Sequence, residues 1–333
     1  MVSTHPGMQP ASRNRRAFIR DATLFATSIG IGSHTYASGS WPARPVRLLV
    51  PVPAGGAVDT LCRALATAVS ATLQQPVVVE NRAGASATLA AAAMAQAPTA
   101  DGYMLGVAPA TVFKLPHLQK LPYDPLKDLT YILAFTSLKH ALLVGKDAPW
   151  RTAQEFIAHA RSHPGKLSIG TSGTGSSGHM AVAAFLQQTG IEATFVPFKG
   201  GVEVLQALLG GHISAMLDAG WTQAEKSGAR FILSFTEKRA GRFPNVPTAS
   251  ELGIRVPIRS PLGIVGPKGM DAQVVSIVHD AFKAALTTPA YRATLAANDL
   301  EDDYLTGAQY LELGKVLFAE ERESLRKLGL LAT

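Results

Sequence analysis

Three stretches of this 333-residue chain set glycines, in one of them with hydroxyl side chains, between a β-branched run and a helical one. That arrangement lets backbone N–H groups close on an anion. The first is Pro51-Val52-Pro53-Ala54-Gly55-Gly56-Ala57-Val58-Asp59. Two glycines allow close approach of a ligand to the backbone, and the following helix offers free N–H groups and a partial positive charge. Asp59 is expected at the N-cap of that helix, with Pro53, Ala54, Gly55 and Gly56 touching the ligand. The second stretch runs from Gly170 to His179. The hydroxyls of Ser172, Thr174, Ser176 and Ser177, beside Gly173, suit a carboxylate or ordered water. His179 is either first-turn packing or a donor near the ligand. The third is Val196-Pro197-Phe198-Lys199-Gly200-Gly201, where Lys199 is a rim lysine or the partner of a second carboxylate. Thr111 and Asp218 complete the expected ligand-binding set.

Other chemistries have less support. Gly173, Gly175 and Gly178 spell G-x-G-x-x-G, the dinucleotide fingerprint, in the right strand-to-helix context. That fingerprint also wants an acid about 20 residues on, ending the next strand. Here that strand ends Pro197-Phe198-Lys199. Gly170-Thr171-Ser172-Gly173-Thr174 lacks the closing glycine of a nucleophile elbow. The nine histidines are scattered along the chain and Cys62 is the only cysteine, so neither a metal site nor a disulfide is expected. Cys62 falls in an apolar helical stretch and reads as a buried structural residue.

Around these loops, short apolar runs alternate with longer helical ones. Val46–Pro51, Pro76–Glu80 and Tyr103–Ala108 read as strands, with helices near 59–73 and 87–97 between them. The middle of the chain repeats the pattern, with strands at Lys166–Gly170, Ala193–Phe198, Ile213–Asp218 and Arg230–Phe235. Two strong helices, near 272–287 and 308–328, close the chain. Strands alternating with helices predict an α/β fold with parallel pairing through right-handed crossovers. The reading is of two discontinuous domains around a central cleft. Lobe 1 comprises residues 41–140 plus 262–333 and lobe 2 comprises 141–261, the chain crossing near Phe135–Val144 and recrossing near Ser260–Gly266.

The first 37 residues read as an export signal. Asn14-Arg15-Arg16-Ala17-Phe18-Ile19-Arg20 resembles the twin-arginine pattern, an apolar stretch from Ala22 to Ile31 follows, and Thr35-Tyr36-Ala37 is a small-x-Ala cleavage site. That apolar stretch is far shorter than the ~20 residues that span a bilayer. The mature chain is therefore expected outside the cytoplasm, in the periplasm. Of the formal charge of +7, three units come from this segment. The remaining basic residues are dispersed, with no stripe interleaved with aromatics, so no nucleic-acid partner is expected.

The mature chain resembles the solute-binding receptors of tripartite tricarboxylate transporters, the Bug-type proteins. The resemblance is carried by strings in a fixed order: Pro53-Ala54-Gly55-Gly56 with Asp59 and Arg63; Glu80-Asn81-Arg82; Leu121-Pro122-Tyr123-Asp124-Pro125; Ser172-Gly173-Thr174-Gly175 with His179; Val196 to Gly201; and Pro244-Asn245-Val246-Pro247-Thr248. It implies a two-lobed periplasmic binding protein fold of the Venus-flytrap, type II-like kind. It further implies a small carboxylate-bearing solute held by backbone amides, hydroxyls and waters, two integral-membrane transporter subunits as partners, no cofactor and no catalysis. A monomer is expected. Phe198 stands where the family commonly has Tyr, Ser86-Ala87 replaces a Gly-rich pair, and the stretch after Asp218 looks shortened. An exported α/β enzyme and a ligand-sensing receptor domain remain the alternatives.

Overall fold

The computed structural model describes residues 41–256 and 258–327. The export-signal reading, residues 1–37, lies outside them. Within the described chain, two sheets form in succession. The first half-sheet is laid down by β1 (Val46–Val50), α1 (Ala57–Leu73), β2 (Val77–Asn81), α2 (Leu89–Ala95), β3 (Met104–Pro109), α3 (Thr111–Lys114) and β4 (Leu129–Ser137). The chain then builds a second sheet: β5 (Ala141–Val144), α4 (Ala153–Ser162), β6 (Leu167–Ser172), α5 (Ser177–Thr189), β7 (Ala193–Phe198), α6 (Gly201–Leu209), β8 (Ala215–Asp218), α7 (Trp221–Lys226) and β9 (Arg230–Ser234). It returns to the first with β10 (Pro261–Pro267), α8 (Ala272–Ala285), α9 (Pro289–Ala297), β11 (Asp302–Thr306) and α10 (Gly307–Lys327). The sheet orders are β11-β4-β10-β3-β1-β2 and β7-β6-β8-β5-β9.

Both sheets are covered on both faces, which explains why their central strands read as nearly unbroken apolar runs. In β1, Leu48 enters a core with Leu61 and Leu65 of α1, Phe282 of α8 and Tyr291 of α9. The next residue, Leu49, points to the opposite face, into a core with Ala90 of α2, Phe113 of α3 and Tyr310 of α10. The second sheet repeats this with Phe156 and Phe185 on one face and Val204 and Trp221 on the other. Cys62 is fully buried in the first of these cores, where burial pushes its thiol up and away from reactivity.

Several sequence expectations need correction. Pairing is not uniformly parallel: β10 runs antiparallel to both β3 and β4, β11 is antiparallel to β4, and β5 is antiparallel to β8 and β9. The strands β5 and β10 arrive from the other sheet rather than through a helical crossover, so the right-handed crossover rule does not govern them. The helix expected over 87–97 is shorter, because Ala85–Ala87 forms a separate turn in which all three residues have positive φ. The end of the chain carries three helices rather than two. Pro289, the first residue of α9, suits a helix start that Thr288 caps through the Tyr291 N–H.

The two chain crossings lie side by side. The Leu138 N–H donates to the Ser260 carbonyl at 2.8 Å, and the Ser260 N–H donates to Ser137 Oγ at 3.3 Å. Among the described residues no helix is long and apolar enough to cross a membrane.

Close packing at the centre of the first sheet gives a direct test. A Cβ at Gly263 in β10 would fall 2.1 Å from the Tyr310 ring and 2.6 Å from the Leu133 carbonyl oxygen. Backbone on one side leaves little room to relax, so Gly263→Ala should destabilise the protein by about 2 kcal/mol or more. Denaturant midpoints for the two proteins check this.

Candidate functional site

The first loop is held rigid by a buried carboxylate. Asp59 is not the N-cap of α1; Gly56 occupies that position, and Asp59 is the third helical residue, 2% exposed. Its Oδ2 accepts the Gly55 N–H at 2.9 Å and Arg63 Nε at 2.9 Å, and its Oδ1 accepts Asn81 Nδ2 at 2.7 Å. The same Asn81 amide donates to the Val52 carbonyl at 3.0 Å. Burial alone would raise the Asp59 carboxyl, but the donors from Arg63, Gly55 and Asn81 outweigh it and the net shift is downward. The side chain therefore faces away from any ligand and pins both ends of the loop. No side chain caps α1, so its first N–H groups open toward the space between the sheets.

The second loop faces the first from the other sheet. Ser176 caps α5, its hydroxyl accepting the His179 N–H at 3.1 Å. The His179 Nδ1 accepts the Gly175 N–H at 3.0 Å, and its ring stacks on Phe195 with centroids 4.1 Å apart. Burial lowers the His179 pKa, so the neutral ring is an internal brace for this loop. Ser172 is tied to Asp218: its N–H donates to Asp218 Oδ2 at 2.7 Å and its hydroxyl to the same oxygen, while Oδ1 accepts the Ala219 N–H at 2.7 Å. Asp218 is 5% exposed, and burial pushes its carboxyl up to about 6 against the pull of these donors.

A cavity of about 920 Å³, its mouth included, lies where these loops meet. Of the residues expected from sequence, Pro53, Gly56, Thr111, Ser172, Ser176, Ser177 and Asp218 line it. Ala54, Gly55, Asp59, Gly173, Thr174, His179, Phe198, Lys199 and Gly200 do not. Lys199 is exposed, its N–H donating to Glu203 at 3.0 Å. Gly200 instead sets the spacing of the two sheets, since a Cβ there would lie 2.6 Å from Pro53 Cδ. Ser86 also crosses the gap: it lines the cavity and sits 3.1 Å from where a Gly173 Cβ would be. The Ser86-Ala87 pair holds positive-φ backbone, which glycine adopts more readily, and adds side chains to the wall.

Sequence reasoning missed the hinge wall. His140, Ser260 and Leu262 line the cavity from the two crossing segments, and Gln223 from α7. None sits in a glycine-rich loop. Their signal was positional, because a segment that crosses between lobes has to border the cleft. Among the described residues no lysine or arginine lines the cavity, and no group of three or more metal-ligating side chains occurs. Negative charge placed here would be met by helix ends, hydroxyls and amides.

Asp218 gives this site a pH signature. Its folded-state pKa, about 6, lies above the ordinary carboxylate value of 3.8. Between those values the folded state binds the extra proton, so the Asp218 contribution to stability falls as pH rises from about 4 to about 6 and is level above. The stability of wild type relative to Asp218→Asn should decline by about 3 kcal/mol across that window, in urea titrations at fixed ionic strength.

Comparison with known proteins places the chain among relatives. A family model described as tripartite tricarboxylate transporter family receptor matches residues 61–330. The UPF0065 protein of the gbd 5' region of Cupriavidus necator is 38% identical over 322 residues, spanning 95% of this chain and 98% of its own. The solved periplasmic binding protein BugD superposes with a TM-score of 0.83 at 26% identity, over 88% of this chain and 100% of BugD. MatC from Rhodopseudomonas palustris, solved with bound malate, gives 0.78 at 27% identity, over 85% and 99%.

Proposed function

The chain belongs to the tripartite tricarboxylate transporter receptor family, and from that premise we propose that it captures a small carboxylate-bearing solute between its two sheets for delivery to such a transporter. The fold is that of a periplasmic solute-binding protein. One observation carries the reading: the N-termini of α1 and α5, one from each sheet, border a single cavity that no lysine or arginine side chain lines. Two helix ends supply fixed donors and partial positive charge to one anion. A carboxylate bridging them binds the closed arrangement better than an open one, and that difference drives closure. Four to six hydrogen bonds, at ~1.5–3 kcal/mol each when charge-assisted, are enough for micromolar affinity, about −8 kcal/mol, after ordering costs. The malate held by MatC is a solute of this class.

Pro53, Gly56, Ser172, Ser176 and Ser177 are assigned to the carboxylate, and Thr111 and Asp218 to the remainder of the solute. The closing bodies are residues 41–140 with 262–333, and 141–261. Ser172 donates its hydroxyl to Asp218 while His179 is engaged by Gly175, an arrangement for holding a loop rather than for activating a nucleophile. Capture without turnover, by a monomer, is the reading we propose. Export through the twin-arginine-like segment with cleavage near Ala37 would deliver it to the periplasm, where two integral-membrane subunits accept the solute.

A thermal-shift screen of mono-, di- and tricarboxylates on the mature chain tests this. A true solute at 100 times its Kd should raise Tm by about 5 °C. Gly56 has extended backbone angles that valine can adopt, so Gly56→Val should keep its own melting temperature and lose the ligand shift. Turnover of esters or amides, or an undiminished shift in the variant, would contradict the assignment.

A further inference from the structure

The hinge wall carries one group that neither the two anion loops nor the packing accounts for. His140 sits between the end of β4 and the start of β5, 4% exposed, and lines the cavity. Its Nδ1 is buried with no hydrogen-bond partner. The nearby Leu138 carbonyl pulls the ring's pKa upward, against burial and Lys114. A buried imidazole nitrogen left unpaired is costly, and such gaps in native proteins call for an explanation. Packing alone would be served as well by Phe or Leu.

Several neighbours of this segment can be named. From α3 comes Lys114, 2% exposed, ion-paired at 2.6 Å to Glu321 of α10. From β8 comes Asp218, whose register partner Ala141 adjoins His140. Phe235, following β9, donates its N–H to the His140 carbonyl, and the neighbouring crossing contributes Ser260; neither is charged. Burial, and then Lys114, push the ring down to about 3, so it is neutral at physiological pH. The helix ends and the imidazole are therefore two separate polar stations on one cavity wall. Lys199, which the sequence offers as a rim lysine or as the partner of a second carboxylate, is exposed and does not line the cavity.

We propose that His140 is a ligand-contacting specificity residue, recognising the distal carboxylate of a dicarboxylate whose first carboxylate rests on the N-termini of α1 and α5. This rests on the carboxylate-capture reading above. The neutral ring donates one N–H to the distal carboxylate. A ring held near 3 stays neutral from pH 5.5 to 8, so pH dependence of binding in that range belongs to Asp218 and should be the same with and without His140.

The test is calorimetric titration of the protein with succinate and adipate, and with butyrate and hexanoate as chain-matched monocarboxylates, at about pH 7.5, where the ring is neutral. Wild type should bind its best dicarboxylate roughly tenfold or more tighter than the matched monocarboxylate. His140→Gln should bring the two affinities within about threefold while keeping monocarboxylate binding, which also reports that it folds. An unchanged preference in His140→Gln would overturn the role of His140. If the variant does not fold, wild type decides alone: equal affinities for the two ligand classes overturn the proposal. Failure of every carboxylate to bind wild type would instead sink the capture reading on which it stands.

Discussion

An anion held without a lysine or arginine side chain has to be held by neutral donors, and backbone N–H groups are free in numbers only where helices begin. The described chain is arranged around that constraint. The α1 terminus projects from the first sheet and the α5 terminus from the second, so the two can meet at one carboxylate only if the sheets face each other across a hinge. Parallel strand-to-helix units aim each terminus at the carboxyl edge of its sheet, where ligands of α/β folds gather. The two crossings between the sheets run side by side at Leu138 and Ser260.

The charged residues near the site serve the loops rather than the solute. Asp59, Arg63 and Asn81 lock the first loop from behind. Asp218 draws the end of β6 and the start of the Ala219 turn together. These networks orient donors before any ligand arrives, which lowers the ordering cost of binding. The approach of Gly200 to Pro53, and of Gly173 to Ser86, marks how closely the two walls come, with no room for a larger side chain at Gly200.

Much of this was legible in the residues, and the gaps have physical causes. The strand-to-helix loops announce themselves because glycine and hydroxyl residues serve backbone geometry, which is local. Pro53, Gly56, Ser172, Ser176 and Ser177 are found that way. Lys199 was weighed as a ligand partner from its charge, yet whether a loop lysine turns inward is settled by the opposite wall, here Pro53 against Gly200. His140 carries no local signature at all, since its position in the cavity comes from the register of β5 against β8 and from the neighbouring crossing at Ser260. The antiparallel placement of β10 was hidden for the same reason: it depends on which sheet the chain re-enters.

Direct capture by helix ends can be read most plainly from the backbone amides themselves. In ¹⁵N-resolved spectra of the protein titrated with a carboxylate that raises its melting temperature, the amides of Ala57 and Val58 on α1 and of Ser177 and Gly178 on α5 should move together, downfield, with one saturation curve. Shifts confined to one of the two helix ends, or centred on exposed lysines such as Lys199 while both helix ends stay still, would contradict capture of the anion between the two sheets.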